Sequence, residues 1–161
     1  MNLKDALEIA IVPGLRLLPE LMDTPSARAM ILAVGMQESR FKHRRQVGGP
    51  ARSFYQFEGG RYSGVAEVLT NRATKTIVHG VLDRLHYTYD REVCFAAIEH
   101  NDMLATVFAR LLLFTLPGAL PGRNEYDDAW RQYIAAWHPG IPHRETWDEF
   151  YQGAWEAVGY Y

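Results

Sequence analysis

The chain has one cysteine, Cys94, so an internal disulfide framework and a multi-cysteine metal site are both excluded. It has no strong charge of either sign. Seventeen Lys and Arg against nineteen Asp and Glu give a formal charge of −2, so no global basic field recommends nucleic acid or an anionic membrane as partner. Long apolar runs are missing too. Asp5 and Glu8 interrupt the N-terminal stretch before Pro13-Gly14, which argues against a standard export signal. The most apolar segment, residues 107–116, contains Arg110 and follows Glu99, His100, Asn101 and Asp102, too short and interrupted to insert in a bilayer.

Familiar chemical motifs are equally scarce. The six histidines, His43, His79, His86, His100, His138 and His143, are scattered, and no HExxH is present, so no metal is expected. No GxxxxGK[ST] loop occurs, Gly59-Gly60-Arg61-Tyr62-Ser63-Gly64 has the wrong spacing for a dinucleotide fingerprint, and no GxSxG elbow is found. No cofactor is implied. Internal repeats, low-complexity tracts and linkers are also absent.

What is present is apolar periodicity. With 161 residues, 48% of them hydrophobic, the chain has material for one core and reads as a single domain. The spacing predicts a mainly α fold with at most a very small β element. A short helix over residues 3–11 is stopped by Pro13-Gly14, and a turn or two follows over 15–22 around Pro19. Thr24 caps the next helix, with Pro25 in its first turn. Further helices are predicted over 64–72, 75–87 and 127–137, and from about 146 onward, where Trp147, Phe150, Tyr151, Ala154, Trp155 and Val158 share one face. Asp90 caps a helix running from 91 through 114, apolar on most sides, which belongs buried at the centre. Cys94 lies within it and reads as a core thiol.

One residue interrupts this pattern. Ala27, Ile31, Val34 and Glu38 fall on one face of the helix that starts at Pro25, so a carboxylate ends an apolar stripe. Apolar neighbours and the negative end of the helix dipole both disfavour its anion. A glutamic acid that keeps its proton near neutrality suits protonation of a glycosidic oxygen. The structural alternative pairs Glu38 with Arg40, Arg44 or Arg45. The run Lys42-His43-Arg44-Arg45 is either a solvated face or a cationic rim for an acidic polymer, and Gly48-Gly49-Pro50 marks a loop after it. Phe54-Tyr55-Gln56-Phe57 reads as extended structure whose alternate residues face a cleft, suited to carbohydrate, or as core packing with one satisfied amide. Glu58-Gly59-Gly60 closes the stretch as a turn.

The order of these parts resembles the soluble lytic transglycosylase family of lysozyme-like proteins. The carriers are Glu38-Ser39 with Phe41 after a helix, the segment Ser53-Phe54-Tyr55-Gln56, a helical body, and Ala135-Ala136-Trp137-His138-Pro139-Gly140 late in the chain. The resemblance spans residues 27–151, and the phrase from Gln37 to Arg52 is similar to phage-encoded members. It implies a lysozyme-like fold and places the catalytic acid at Glu38, with Ser39 beside it shaping the site. The family's Gly-Leu-Met-Gln falls on Ser53 to Gln56, making Gln56 a substrate contact and setting Tyr55 in place of the sulfur side chain that lines the cleft. Its Ala-Tyr-Asn-Ala-Gly falls on Ala136 to Gly140, and Tyr133 and Trp137 join the substrate contacts. Serine at 53, tryptophan at 137, histidine at 138 and proline at 139 depart from the family pattern.

The implied activity is cleavage of the MurNAc–GlcNAc β-1,4 bond of peptidoglycan without water, ending in a 1,6-anhydro sugar, with Glu38 acting first as acid and then as base. A hydrolytic muramidase of the same fold, using Glu58 or Asp102 as second carboxylate, is the enzymatic alternative. A wall-binding or virion structural module is the non-catalytic one. The implied partner is the glycan strand, met by a monomer. The protein would be made in the host cytoplasm, and would act on the wall in the periplasm or travel in a phage particle.

Overall fold

In the computed structural model, which describes residues 1–159, eight helices carry the fold and no strand forms among the described residues. The architecture is mainly α, as the periodicity predicts.

The first helix, α1 (residues 3–15), starts at Asn2, whose side chain accepts from the Asp5 amide at 2.8 Å. It does not stop at Pro13-Gly14. Its middle widens to a π-helical turn over Ala6–Ile11, with Val12 donating to Leu7. That geometry absorbs the proline ring, which cannot sit in an ordinary i→i−4 ladder. Gly14 then lets the helix meet the core: a β-carbon there would lie 2.7 Å from the Met103 carbonyl oxygen. A 3-10 turn, Glu20–Met22, leads to α2 (Pro25–Ser39), capped by Thr24, whose hydroxyl accepts from Ala27 at 3.1 Å.

After α2 the chain takes two left-handed residues in succession, Arg40 and Phe41, and enters a loop with two isolated β-bridges, Arg45 to Arg52 and Arg52 to Phe57. The helices α3 (Gly64–Thr70) and α4 (Lys75–Arg84) follow.

The predicted helix over 91–114 is two helices. α5 (Arg91–His100) and α6 (Asp102–Phe114) are separated at Asn101, which is extended at φ −117° and ψ 94° and caps α6 by accepting from the Leu104 amide at 3.0 Å. Asparagine competes with helix by bonding local backbone, so one polar residue outweighs the apolar continuity on either side. The buried centre is therefore α6 alone, in which every residue from Leu104 to Leu113 is buried. Arg110 within it donates to the Met22 carbonyl at 2.9 Å, and desolvation brings its pKa down to about 10. Cys94 is buried in α5, and burial pushes its thiol up to about 11.

Two helices close the fold: α7 (Tyr126–Trp137) and α8 (Arg144–Val158). α8 lies along α2 in the most extensive helix pairing of the molecule. Between α7 and α8 stand stacked rings, Tyr133 on Trp147 at 5.0 Å and Trp147 on Tyr151 at 6.0 Å. The last turn of α2 is thereby set against α7.

Candidate active site

Glu38 is the penultimate residue of α2 and is half-buried. Its hydrogen-bond partner among the described residues is Tyr133 of α7, whose hydroxyl donates to Oε1 at 2.6 Å. Desolvation raises the carboxyl from its ordinary 4.5 to about 7, against the smaller opposing effect of the Tyr133 hydrogen bond. The arginines that follow in sequence go elsewhere. Arg44 grips Asp102 through two bonds of 2.9 and 2.7 Å, Arg45 grips Glu99 at 2.9 and 3.1 Å, and Arg40 lies 5.3 Å from the Phe150 ring. Among the described residues Glu38 is thus left without a cation, and the pairing with Arg40, Arg44 or Arg45 does not form. Arg44 and Arg45, two members of the basic run, are thus paired with carboxylates of α6 and α5, while His43 lines the cleft.

Tyr133 has little freedom to move away. Its ring is buried, stacked on Trp147 and 6.2 Å from Trp137 at an interplanar angle of 27°, with Trp130 at 5.3 Å. Trp147 is itself held by donating its indole N–H to the Tyr126 carbonyl at 3.3 Å. The donor that meets Glu38 is therefore fixed by packing, and its own ionisation is pushed upward by burial and by Glu38.

Ser39 works as a strut. Its hydroxyl lies within reach of two carbonyls, Phe54 at 2.7 Å and Gly35 at 3.3 Å, and accepts from the Phe41 amide at 3.1 Å. It shapes the wall of the cleft, with its donor spent on the backbone and one acceptor lone pair left over.

The segment 53–57 is a tight turn, not the extended run predicted. Ser53 and Gln56 both have positive φ, 66° and 51°, and Arg52 and Phe57 exchange both backbone bonds at 2.8 Å. Alternation of faces requires extended backbone, so it fails here. Phe54 and Tyr55 both turn inward. Tyr55, expected to line the cleft, is buried with its hydroxyl 2.9 Å from the Thr106 hydroxyl of α6, and desolvation drives its pKa upward. It supports the site from beneath. Its carbonyl accepts from the Trp137 indole at 2.8 Å, which joins the turn to α7.

Glu38, Ser39, Gln56, Tyr133 and Trp137 line one cleft of about 530 Å³. Gln56 is half-buried there, donating to the Ser53 carbonyl at 2.8 Å. Glu58 also lines the cleft and is exposed. Asp102 does not: it lies in a separate groove beside Tyr87 and Met103, clamped by Arg44, and is removed as a second carboxylate for this site.

Gln37, His43 and His143 line the cleft without having been predicted to, and His138 lines it from within the segment 136–140 that the resemblance singled out. Gln37 donates to the His143 carbonyl at 3.0 Å and accepts from the Thr146 hydroxyl at 3.0 Å, tying α2 to the start of α8. Only its place beside Glu38 in sequence signalled it. No group of three or more His, Cys, Asp or Glu that could hold a metal occurs among the described residues, and no described helix is long and apolar enough to cross a membrane.

No family model, curated protein or solved structure matches this chain.

Proposed function

We propose that the protein is a peptidoglycan-cleaving lytic transglycosylase acting through Glu38. The observation that carries this reading is a glutamic acid with a pKa of about 7, bonded by one neutral hydroxyl at the wall of an open cleft. A carboxyl raised that far above its ordinary range can both give and take a proton near neutral pH. In the reaction, the glycosidic C1–O bond breaks as the Glu38 proton passes to the leaving oxygen. The C6 hydroxyl of the same sugar then bonds to C1 and surrenders its proton to the Glu38 carboxylate. Atoms balance without water, and the acid is regenerated.

Two departures from the family pattern support the same reading. Ser53 stands where the resemblance puts a glycine and holds φ 66°, and His138 stands where it puts an asparagine and holds φ 48°. Both are left-handed positions that glycine and asparagine occupy most readily, so the backbone suits the pattern while the side chains have changed. The bacterial wall is then the place of action, reached by a free or a particle-borne protein.

The exposed Glu58 in the same cleft favours a second reading, a hydrolase in which Glu58 assists an attacking water. Mass spectrometry of digested peptidoglycan separates the two. Anhydro ends are expected; reducing MurNAc ends carrying one added water would replace the transglycosylase by the hydrolase. Glu38→Gln is expected to lower the rate on the order of a thousandfold or more. Clearance of a wall suspension at the parental rate by that variant would remove Glu38 as the acid, and failure of the wild-type chain to clear it would leave a wall-binding module.

A further inference from the structure

Among the exposed large apolar residues of the molecule, three belong to the rim of the Glu38 cleft: Val47, Ile141 and, at 95% exposure, Tyr62. Single exposed apolar side chains are ordinary, but several around one concave polar site are the pattern of a ligand surface. Tyr62 differs from the other two in being a flat ring. It makes no hydrogen bond or ring contact with any described residue, so folding leaves both its faces uncommitted.

Its backbone, in contrast, is held. On one side Gly59 lies so close to Phe95 that a β-carbon would sit 2.7 Å from Cδ1 of that ring, and on the other Gly64 would bring one to 2.9 Å from Leu112 and 3.0 Å from Phe57. Both contacts press the ends of the loop onto buried or half-buried neighbours, where only glycine fits. Between them the Ser63 amide donates to the Gly60 carbonyl at 3.1 Å, and the Ser63 hydroxyl accepts from Ala66 at 3.3 Å to cap α3. A nearly bare aromatic side chain is thus presented from a turn that is pinned at both ends.

We infer that Tyr62 is a stacking platform for a sugar ring of the glycan strand outside the pair that flanks the cleaved bond, so that the cleft prefers long strands to short ones. The inference rests on the glycan-cleaving reading above. The pyranose ring presents a C–H face that matches the negative face of an aromatic ring, while Val47 and Ile141 can offer only aliphatic contact. Pre-organised exposure keeps the entropy cost of binding low, because neither the loop nor the two-torsion side chain has much freedom to lose.

The test is calorimetric titration of peptide-free GlcNAc–MurNAc oligosaccharides into Glu38→Gln protein, which can bind without turnover. Adding Tyr62→Ala is expected to weaken hexasaccharide binding by up to about tenfold and leave the disaccharide unchanged. Tyr62→Trp is expected to retain the preference, and Leu21→Ala, equally exposed at 91% but outside the cleft, to change neither ligand. Equal binding of the hexasaccharide with and without the Tyr62 ring, or equal loss for both lengths, overturns the platform alone provided the wild-type chain cleaves peptidoglycan. If the wild type cleaves no glycan and the Glu38→Gln protein binds none, the functional reading falls and the platform with it.

Discussion

Glu38 and Glu99 occupy the same position in their helices, one residue from the C-terminal end, in α2 and α5. The helix dipole opposes an anion at both. Yet burial raises Glu38 to about 7, whereas Glu99 is held below the ordinary carboxylate range by the hydrogen bonds and charge of Arg45, with the charge of Arg52 adding to it. What separates them is the destination of the loop arginines. Arg44, Arg45 and Arg52 all follow Glu38 in sequence, and the bridged loop carries them to Asp102 and Glu99 instead. Cations are thereby used to fasten the loop to α5 and α6, and among the described residues the carboxylate beside the cleft keeps a phenol as its partner. An acid poised near neutrality and a structural ion pair are built from the same residue type by the allocation of neighbours.

The largest expected effect tests the Glu38 side of this contrast through stability. Its folded pKa lies above the ordinary 4.5, so between pH 4.5 and about 7 the folded state holds a proton that the unfolded chain has released. Stability therefore falls as pH rises through that window. Relative to Glu38→Gln, the wild type should lose at most about 3 kcal/mol across it, agree with the variant below it, and run parallel above it. Denaturant unfolding at a series of pH values measures this directly. A constant difference between the two proteins at every pH would mean that the carboxyl is not raised.

The Glu99 side predicts the opposite sign at smaller amplitude. Glu99→Gln should lower Tm by about 2–4 °C at pH 7, since Arg45 is exposed and its pairing screened while Arg52 is more covered. Because the folded pKa of Glu99 is depressed, that contribution is present above its unfolded pKa and disappears as pH falls through the folded one, so the two melting curves should merge in acid. A difference that persists in acid would place the contribution in packing.

The smallest effect sharpens the comparison at Tyr133. Its hydroxyl favours the Glu38 anion, so Tyr133→Phe should raise the Glu38 pKa further, by about half a pH unit or more. Carbon-13 NMR of the carboxyl reads the shift without reference to activity. A fall in pKa would mean that the phenol stabilises the protonated form.

Helix positions were legible in the chain because burial repeats at the helical period, as at Ala27, Ile31 and Val34 or along Trp147, Tyr151 and Trp155. Local polar competition was harder to read. Asn101 divides the apolar run 91–114 by a single cap, and Pro13 bends a helix into a π-turn without ending it. The site was legible at Glu38 because a carboxylate closing an apolar stripe is an anomaly visible in sequence. Gln56, Tyr133 and Trp137 came with the resemblance, and they do share its cleft. Tyr55 misled because a strand and a turn of left-handed residues place the same ring on opposite sides, and nothing in the residue types distinguishes them.

The sequence by itself determined the mainly helical fold, the buried thiol at Cys94 and the placing of a carboxylate at the end of an apolar face. Those are properties of periodicity and of neighbours within a few residues. Only the tertiary structure decided which partners each charge receives, across separations of 54 residues from Arg45 to Glu99 and 95 from Glu38 to Tyr133. Burial and charge act through space with strengths that depend on a few ångströms, so the chemistry of Glu38 is set where the chain folds back on itself.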